Sequence, residues 1–222
     1  MKRLLAIAAA IAALLLGAHP APAAESCGPK GAKRLFSTSR VVVTYVRTER
    51  GATSIPRRHY ACARGSARAY VLDDPAAEDD EFGEFWDAAY MFRTNRRYLA
   101  YARDSGDDHG DYIKTEIVVL NTVTGRRRID AVIDAGERYT PFNYATDLVV
   151  SSRGIAAWIA VEGLHGEEPQ GPYWVQRARR GKGPAVTLDS DEDVAPHSLT
   201  LGADDRTAVW RRGSERRTAP LR

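Results

Sequence analysis

A short motif that recurs at a nearly constant interval limits the fold of this chain more than any other feature. Each copy follows a short apolar run and a polar turn and ends in an aromatic residue, at Tyr101, Trp158 and Trp210. Roughly fifty residues separate successive copies, which is about the length of one four-stranded propeller blade. The recurrence therefore predicts a repeat architecture.

The residues between these copies predict strands throughout. Val, Ile, Tyr and Trp alternate with polar residues, turn residues follow at short intervals, and no sustained helical period appears after the N-terminal segment. We therefore predict an all-β fold in one domain over residues 24–222, a small or incomplete β-propeller. Its four propeller-like antiparallel β-meander repeats are expected at 34–72, 87–132, 147–188 and 198–222.

The aromatic residues of the motif stand at the same phase of each repeat's central strand. Tyr101, Trp158 and Trp210 are therefore expected to be buried between repeats. The alternative is that they stack on a sugar ligand.

The last repeat is expected to be incomplete, because only Arg222 follows its third predicted strand at Glu215–Leu221. The unpaired edge at 215–222 is a candidate for strand addition by a partner chain or by a second copy. The alternative is that Arg216, Arg217 and Pro220 protect this edge against pairing.

The N-terminal residues predict export. Lys2 and Arg3 precede an unbroken apolar run, and a small-residue cleavage site follows at Ala21–Ala23. This arrangement is typical of a secretory signal peptide, here residues 1–23, and the apolar run is too short to span a bilayer comfortably. We expect a secreted, periplasmic or cell-envelope protein with no transmembrane span after cleavage.

Two cysteines remain in the predicted mature chain, Cys27 and Cys62. Two thiols in an exported protein most often form a disulfide, and this one would tie down the N-terminal segment. The alternative is two free thiols.

The overall charge argues against a nucleic-acid ligand. The chain has 32 Lys and Arg residues and 29 Asp and Glu residues. Loss of Lys2 and Arg3 with the signal peptide leaves 30 against 29, a net charge near +1. Because such a chain has no global positive field, we expect its partner to be a protein or another envelope component.

The second repeat resembles a known family. The segments Asn95–Asp104 and Glu116–Gly125 are similar to the TolB-like β-propeller repeat, in which a turn, a hydrophobic-Ala-aromatic stretch and an acidic hairpin precede a strand that ends in Thr-Gly. The resemblance is specific over residues 95–128 and weaker in the other three repeats, and Thr94–Arg97 replaces the family's Ser-Pro-Asp-Gly turn. It implies a propeller fold and a binding platform, without a reaction.

In an antiparallel meander the connections lie at two opposite ends, and this rule separates the charges of the chain. The tight-turn end is expected to carry the basic residues Arg96, Arg97, Arg126, Arg127, Arg128, Arg179, Arg180 and Lys182. The opposite end is expected to carry the acidic segments 73–87, 104–111, 163–171 and 189–193. Its candidate binding residues are Asp104, Asp107, Asp108, Asp111, Glu167, Glu168, Asp189, Asp191 and Asp193.

An acidic face of this kind would attract cations or basic partners. The alternative is that these loops are charged for solubility. Within them, His109, Asp111, His165 and Glu167 have the donor types that could hold a divalent metal, and solvated loop histidines are the alternative. No other cofactor is expected.

The sequence contains no nucleophile elbow, phosphate-binding glycine loop or His-Glu-x-x-His motif. No catalytic residue is therefore assigned. The function predicted from sequence is that of an exported, non-enzymatic binding or scaffold module. The alternative is an envelope hydrolase or metal-dependent enzyme that uses the acidic loop face.

Overall fold

The structure is a computed structural model, and it describes residues 27–47, 57–73, 77–80, 83–107, 113–136, 142–163, 171–178 and 185–222. All regular secondary structure in these ranges is β, in four antiparallel sheets that follow one another along the chain. The prediction of an all-β, propeller-like fold is confirmed, and the last sheet has three strands in the described residues. The predicted signal peptide lies outside the described residues, within which no helix is long and apolar enough to cross a membrane.

The first two sheets contain four and five strands. Sheet 1 consists of β1 (Lys33–Ser37), β2 (Val41–Arg47), β3 (Arg57–Ala63) and β4 (Tyr70–Val71). Sheet 2 consists of β5 (Ala77–Asp80), β6 (Gly83–Asn95), β7 (Tyr98–Asp107), β8 (Ile113–Asn121) and β9 (Arg127–Gly136).

The last two sheets contain four and three strands. Sheet 3 consists of β10 (Phe142–Val150), β11 (Ala156–Gly163), β12 (Tyr173–Arg177) and β13 (Val186–Asp191). Sheet 4 consists of β14 (Thr200–Leu201), β15 (Thr207–Arg212) and β16 (Glu215–Pro220). Within the described residues, β16 pairs with β15 alone.

Three segments predicted as connections are strands. Residues 77–80 form β5, and β6 already begins at Gly83 rather than near residue 87. Asp104 lies in β7, and β13 continues through Asp189 to Asp191. Clustered charges favour a loop from sequence alone, but a strand tolerates a carboxylate when a neighbouring strand supplies its donor.

The first strand of sheets 1 and 3 and the long strand β6 of sheet 2 each carry a β-bulge. The register shifts between Arg34 and Phe36 in β1 and between Ala145 and Asp147 in β10. In β6 the shift lies between Tyr90 and Arg93. A bulge increases the local twist of a strand.

Consecutive sheets bury their facing side chains against each other. Val41 and Val43 of sheet 1 pack with Leu99 and Tyr101 of sheet 2. The opposite face of sheet 2 joins a second core, which also contains Trp158 of sheet 3 and Trp210 of sheet 4. Side chains alternate between the two faces of a strand, so sheet 2 contributes to both cores.

The aromatic residues of the repeated motif are buried, as predicted. The exposed fraction is 0% for Tyr101, 0% for Trp158 and 3% for Trp210. Trp158 Nε1 donates to Gln176 Oε1 at 2.9 Å, and Trp210 Nε1 donates to Asp189 Oδ2 at 2.8 Å. These contacts are internal, so the rings serve packing between sheets and not a sugar ligand.

Two buried carboxylates connect neighbouring sheets. Asp73 follows sheet 1 and accepts hydrogen bonds from the backbone N of His59 at 2.6 Å and of Ala89, in sheet 2, at 2.8 Å. Asp147 of sheet 3 accepts from Leu199 N, next to sheet 4, at 2.9 Å. The prediction that Asp73 belongs to the exposed acidic face is wrong, because its carboxylate is buried.

Cys27 and Cys62 form the predicted disulfide, with a Cα–Cα distance of 5.7 Å. Cys62 lies in β3 of sheet 1. The bond therefore attaches the segment before β1 to an inner strand of the first sheet.

The β1–β2, β3–β4, β6–β7, β8–β9, β10–β11 and β14–β15 turns lie at one end of the molecule, which we call the tight-turn end. Asp205 in the β14–β15 turn accepts from Asn95 Nδ2 in sheet 2 and from Ser152 N in sheet 3, the latter at 3.1 Å. Tyr70 of sheet 1 donates its hydroxyl to Val123 O of sheet 2 at 3.5 Å. This end therefore combines residues 38–40, 64–69, 96–97, 122–126, 151–155 and 202–206.

Candidate anion-binding site

Arginine dominates the tight turns of the first three sheets. Their described segments, 38–40, 64–69, 96–97, 122–126 and 151–155, contain arginines but neither Asp nor Glu. The basic tight-turn end predicted from the sequence is thus present for Arg96, Arg97, Arg126, Arg127 and Arg128. The other predicted members, Arg179, Arg180 and Lys182, lie outside the described residues.

A pocket of about 550 Å³ opens at this end between sheets 2 and 3. We call it the arginine pocket. Five of its lining residues are arginines from three different turns or strand ends: Arg97, Arg126, Arg127, Arg128 and Arg153. The remaining lining residues are Tyr98, Val119, Asn121, Thr124 and Gly154.

The β8–β9 turn holds the backbone of Arg97 in place. Thr122 donates to Arg97 O from its backbone N at 2.9 Å and from its hydroxyl at 3.0 Å. The turn itself is closed by Asn121, whose side-chain oxygen accepts from Val123 N at 3.1 Å and from Thr124 N at 3.3 Å. Residues 97 and 126 are therefore brought to the same rim of the pocket by local hydrogen bonds.

Tyr98 links the pocket to the β10–β11 turn. Gly154 has a φ of +74°, and a Cβ at this position would lie 2.7 Å from Tyr98 Cδ1. The Arg97 guanidinium lies 5.4 Å from the centroid of the same ring. A glycine is therefore required for the turn to reach the ring, and this approach brings the turn that carries Arg153 to the pocket.

The junction between sheets 1 and 2 repeats this arrangement. Gly125 has a φ of +73° and lies against the ring of Tyr70. The Arg68 guanidinium lies 5.1 Å from the centroid of that ring. An arginine, a tyrosine and a glycine thus meet at each of the two junctions.

Two pocket arginines also fasten the sheets to one another. Arg128 donates to the carbonyl of Gly154 in sheet 3, and Arg127 donates to the carbonyl of Val71 in sheet 1. Part of their donor capacity is therefore used by the backbone. A guanidinium has five N–H groups, so Arg127 still has donors for a ligand.

The other three pocket arginines, Arg97, Arg126 and Arg153, are exposed, and they differ from several arginines elsewhere in the chain in having no carboxylate partner among the described residues. By contrast, Arg103 pairs with Glu116, and Arg212 pairs with Asp191. Like charges repel at close range. A pocket that gathers guanidinium groups without a carboxylate is suited to bidentate binding of phosphate, sulfate or carboxylate groups.

The acidic candidate Asp104 makes internal contacts. It accepts from the Tyr90 hydroxyl at 3.0 Å and from the Thr115 hydroxyl at 2.7 Å. Burial and the neighbouring Asp104 carboxylate raise the pKa of Tyr90 far above its usual value. Tyr90 therefore remains a neutral hydrogen-bond donor to Asp104.

Asp189 and Asp191 are likewise engaged by sheet 4. Asp189 accepts from the Trp210 indole and from Arg212 Nη1, the latter at 3.4 Å, while Asp191 pairs with the same arginine. Asp193 is exposed in the turn after β13. Two of these three residues therefore stabilise the junction between sheets 3 and 4, and ligand binding by all three stays a prediction.

The remaining acidic and metal candidates are not described at this site. Asp107 ends β7. Asp108, Asp111, Glu167, Glu168, His109 and His165 lie outside the described residues. Within the described residues no group of three His, Cys, Asp or Glu side chains could hold a metal ion, so the metal site also stays a prediction.

Comparison with known proteins returned no match: no family model, curated protein or solved structure is significantly similar to this chain. The fold and the site therefore rest on the geometry of the chain itself.

The sequence predicts a basic end for most of these arginines but does not reveal the pocket. The pocket forms at the junction between sheets 2 and 3, and this junction, which depends on the contact of Tyr98 with Gly154, cannot be predicted from the sequence. The Arg153–Gly154 pair in a tight turn, echoed by Gly125–Arg126 in the preceding sheet, is the available signal. Neither pair reveals which ring its glycine will meet.

Proposed function

We propose that this chain is an exported, non-enzymatic binding module that holds an anionic ligand in the arginine pocket. The main support for this proposal is that five arginines line one pocket, with no carboxylate among its lining residues. Arginine is the residue best suited to bidentate contact with phosphate, sulfate and carboxylate groups. The pocket is also large enough for a sugar-sized or diphosphate-sized ligand.

Export and the TolB-like repeat belong to this proposal. The signal-like N-terminus and the Cys27–Cys62 disulfide favour an oxidising compartment outside the cytoplasm. The similarity of residues 95–128 to the TolB-like repeat supports a platform for binding. The binding site that we propose, however, lies at the tight-turn end and not on the acidic face.

Calorimetric titration with inorganic pyrophosphate at low salt tests this function. The variant carries Arg97→Gln, Arg126→Gln and Arg153→Gln, all on exposed side chains of the pocket. We expect the variant to bind at least about tenfold more weakly, because each lost guanidinium removes charge-assisted hydrogen bonds.

A matched control removes the same charge elsewhere. Arg34, Arg211 and Arg216 are exposed strand residues that do not line the pocket. The triple Gln variant at these positions should bind pyrophosphate as the unmodified protein does. Equal weakening in both variants would mean that overall charge, and not the pocket, controls binding. Absence of pyrophosphate binding by the unmodified protein would contradict the proposal.

A further inference from the structure

The basic surface does not stop at the arginine pocket. Arg40, Arg64 and Arg68 lie in the tight turns of sheet 1, and all three are exposed. Arg64 N donates to Arg40 O at 2.7 Å, which brings the two turns of sheet 1 together. Arg96, in the β6–β7 turn next to the pocket, is also exposed. Four exposed arginines thus extend the basic surface beyond the residues that line the pocket.

The sheet 1 turns adjoin the pocket directly. Tyr70, which follows the second turn of sheet 1, contacts Gly125 and donates to Val123 O. Arg127 lines the pocket and donates to Val71 O in β4. The arginines of sheet 1 and those of the pocket therefore belong to one continuous surface across three sheets.

We propose that the ligand is a linear anionic polysaccharide that lies across the tight-turn ends of sheets 1, 2 and 3. This inference rests on the proposed function and specifies its ligand class. A single small anion would occupy the pocket alone and leave the arginines of sheet 1 without a ligand group. A polymer with acidic groups at regular intervals engages both the pocket and the turns of sheet 1.

The tyrosines at this surface favour a glycan over single-stranded nucleic acid. Proteins that bind single strands offer aromatic rings on which successive bases stack. Here Tyr70 and Tyr98 are each in contact with an arginine guanidinium and with a glycine. Their rings are used for contacts between sheets, whereas the exposed arginines remain available to charged groups.

A nearly neutral chain can bind an anionic polymer when its basic residues are concentrated on one part of the surface. The net charge near +1 after loss of Lys2 and Arg3 argues against a polyanion only if the charge is spread evenly. A local field depends on the distribution of charge and not on the sum. The described tight turns of sheets 1 to 3 contain no Asp or Glu, so their part of the tight-turn end carries only positive formal charge, whereas the turn of sheet 4 adds Asp204 and Asp205.

The test compares four polymers by calorimetry at about 50 mM and about 300 mM NaCl, since contacts between a polyanion and basic residues weaken as salt rises. Polygalacturonate carries carboxylates, heparin carries sulfates as well, dextran is neutral, and single-stranded DNA is the other class of polyanion. We expect polygalacturonate or heparin to bind at low salt and to be weakened at high salt. Which of the two binds more tightly identifies the acidic group.

The variant for this test carries Arg40→Gln, Arg64→Gln and Arg68→Gln, which lie outside the pocket. It should bind the preferred glycan roughly tenfold more weakly, since exposed charge contacts contribute modestly each, and should bind pyrophosphate unchanged. The triple Gln variant of Arg34, Arg211 and Arg216 is the matched control and should bind both ligands normally. Circular dichroism confirms that each variant is folded.

Each other outcome overturns the inference. Pyrophosphate binding without glycan binding would leave the pocket as a small-anion site and reject the polymer. Tighter binding of DNA than of either acidic glycan would reject a polysaccharide ligand. Binding of neutral dextran as tightly as the acidic glycans would show that acidic groups are not recognised. If neither pyrophosphate nor a glycan binds, both the inference and the proposed function fall.

Discussion

The ring of Tyr98 lies directly against Gly154, so that a Cβ on residue 154 would fall 2.7 Å from Tyr98 Cδ1. This contact joins sheet 2 to sheet 3, and both residues line the arginine pocket. The walls of the pocket therefore depend on a packing contact that involves no charged group.

Gly154→Ala should lower the free energy of unfolding by more than the backbone cost alone. A left-handed backbone costs a non-glycine residue roughly 1–2 kcal/mol, and here the added methyl group also displaces Tyr98. Gly65→Ala is the matched control, because Gly65 has a φ of +78° and a Cβ added there would meet no atom within 4 Å. Urea denaturation of both variants would measure the difference. Equal losses would show that the Tyr98 contact adds nothing.

Trp158→Ala should destabilise the protein by about 3–5 kcal/mol, the usual cost of removing a large aromatic side chain from a packed core. Trp158 is fully buried in the larger core and also bonds to Gln176. Val123→Ala is a control on an exposed side chain and should change stability by less than about 0.5 kcal/mol. A Trp158→Ala protein of unchanged stability would contradict the packing role.

Glu116 should make stability depend on pH. It is buried between Arg103 and Lys114, and although burial alone would raise its pKa, hydrogen bonds and charge from these two residues hold the pKa below its usual value. A group with a depressed folded-state pKa stabilises the protein above its unfolded pKa, about 4.3 for Glu. That contribution is lost as pH falls through the folded-state value.

Glu116→Gln should therefore lower the free energy of unfolding at neutral pH by about 1.5–3 kcal/mol, the range for hydrogen bonds to a charged group. Between pH 7 and about pH 3 the variant should lose less stability than the unmodified protein. Glu215→Gln is the control, since Glu215 forms an exposed pair with Arg217 that contributes little. Parallel pH profiles for the unmodified protein and Glu116→Gln would refute this linkage.

Replacement of both cysteines by Ser should cost about 3–4 kcal/mol, the chain-entropy estimate for a loop of this length. The bond spans a sequence separation of 35. Thermal unfolding of the oxidised protein, the reduced protein and the Cys27→Ser/Cys62→Ser variant would measure the effect. Identical midpoints would show that the bond does not constrain the unfolded chain.

The repeat, its strands and its buried aromatic residues could be predicted because each has a local signal. Alternation of apolar residues marks the strands, and Tyr101, Trp158 and Trp210 recur at one phase of the repeat. The tight turns and their arginines follow from the same meander. Local patterns are sufficient for these features because each depends on residues close together in the sequence.

The carboxylates are harder to assign because burial depends on the neighbouring strand or sheet. Asp73, Asp104 and Asp189 look like surface residues, yet donors from His59, Tyr90 and Trp210 satisfy them. Those donors lie from 14 to 21 positions away. The arginine pocket escapes sequence analysis for a similar reason, since the contact of Tyr98 with Gly154 joins two repeats.

Diffraction from crystals soaked in selenate would show whether the arginine pocket binds a dianion, because the anomalous signal of selenium locates the bound ion whatever the natural ligand is. We expect a peak in the arginine pocket, about 3–4 Å from the guanidinium groups of two or more of Arg97, Arg126 and Arg153. The triple Gln variant of these residues should lack the peak. Selenate at other arginines with none in the pocket would contradict the account.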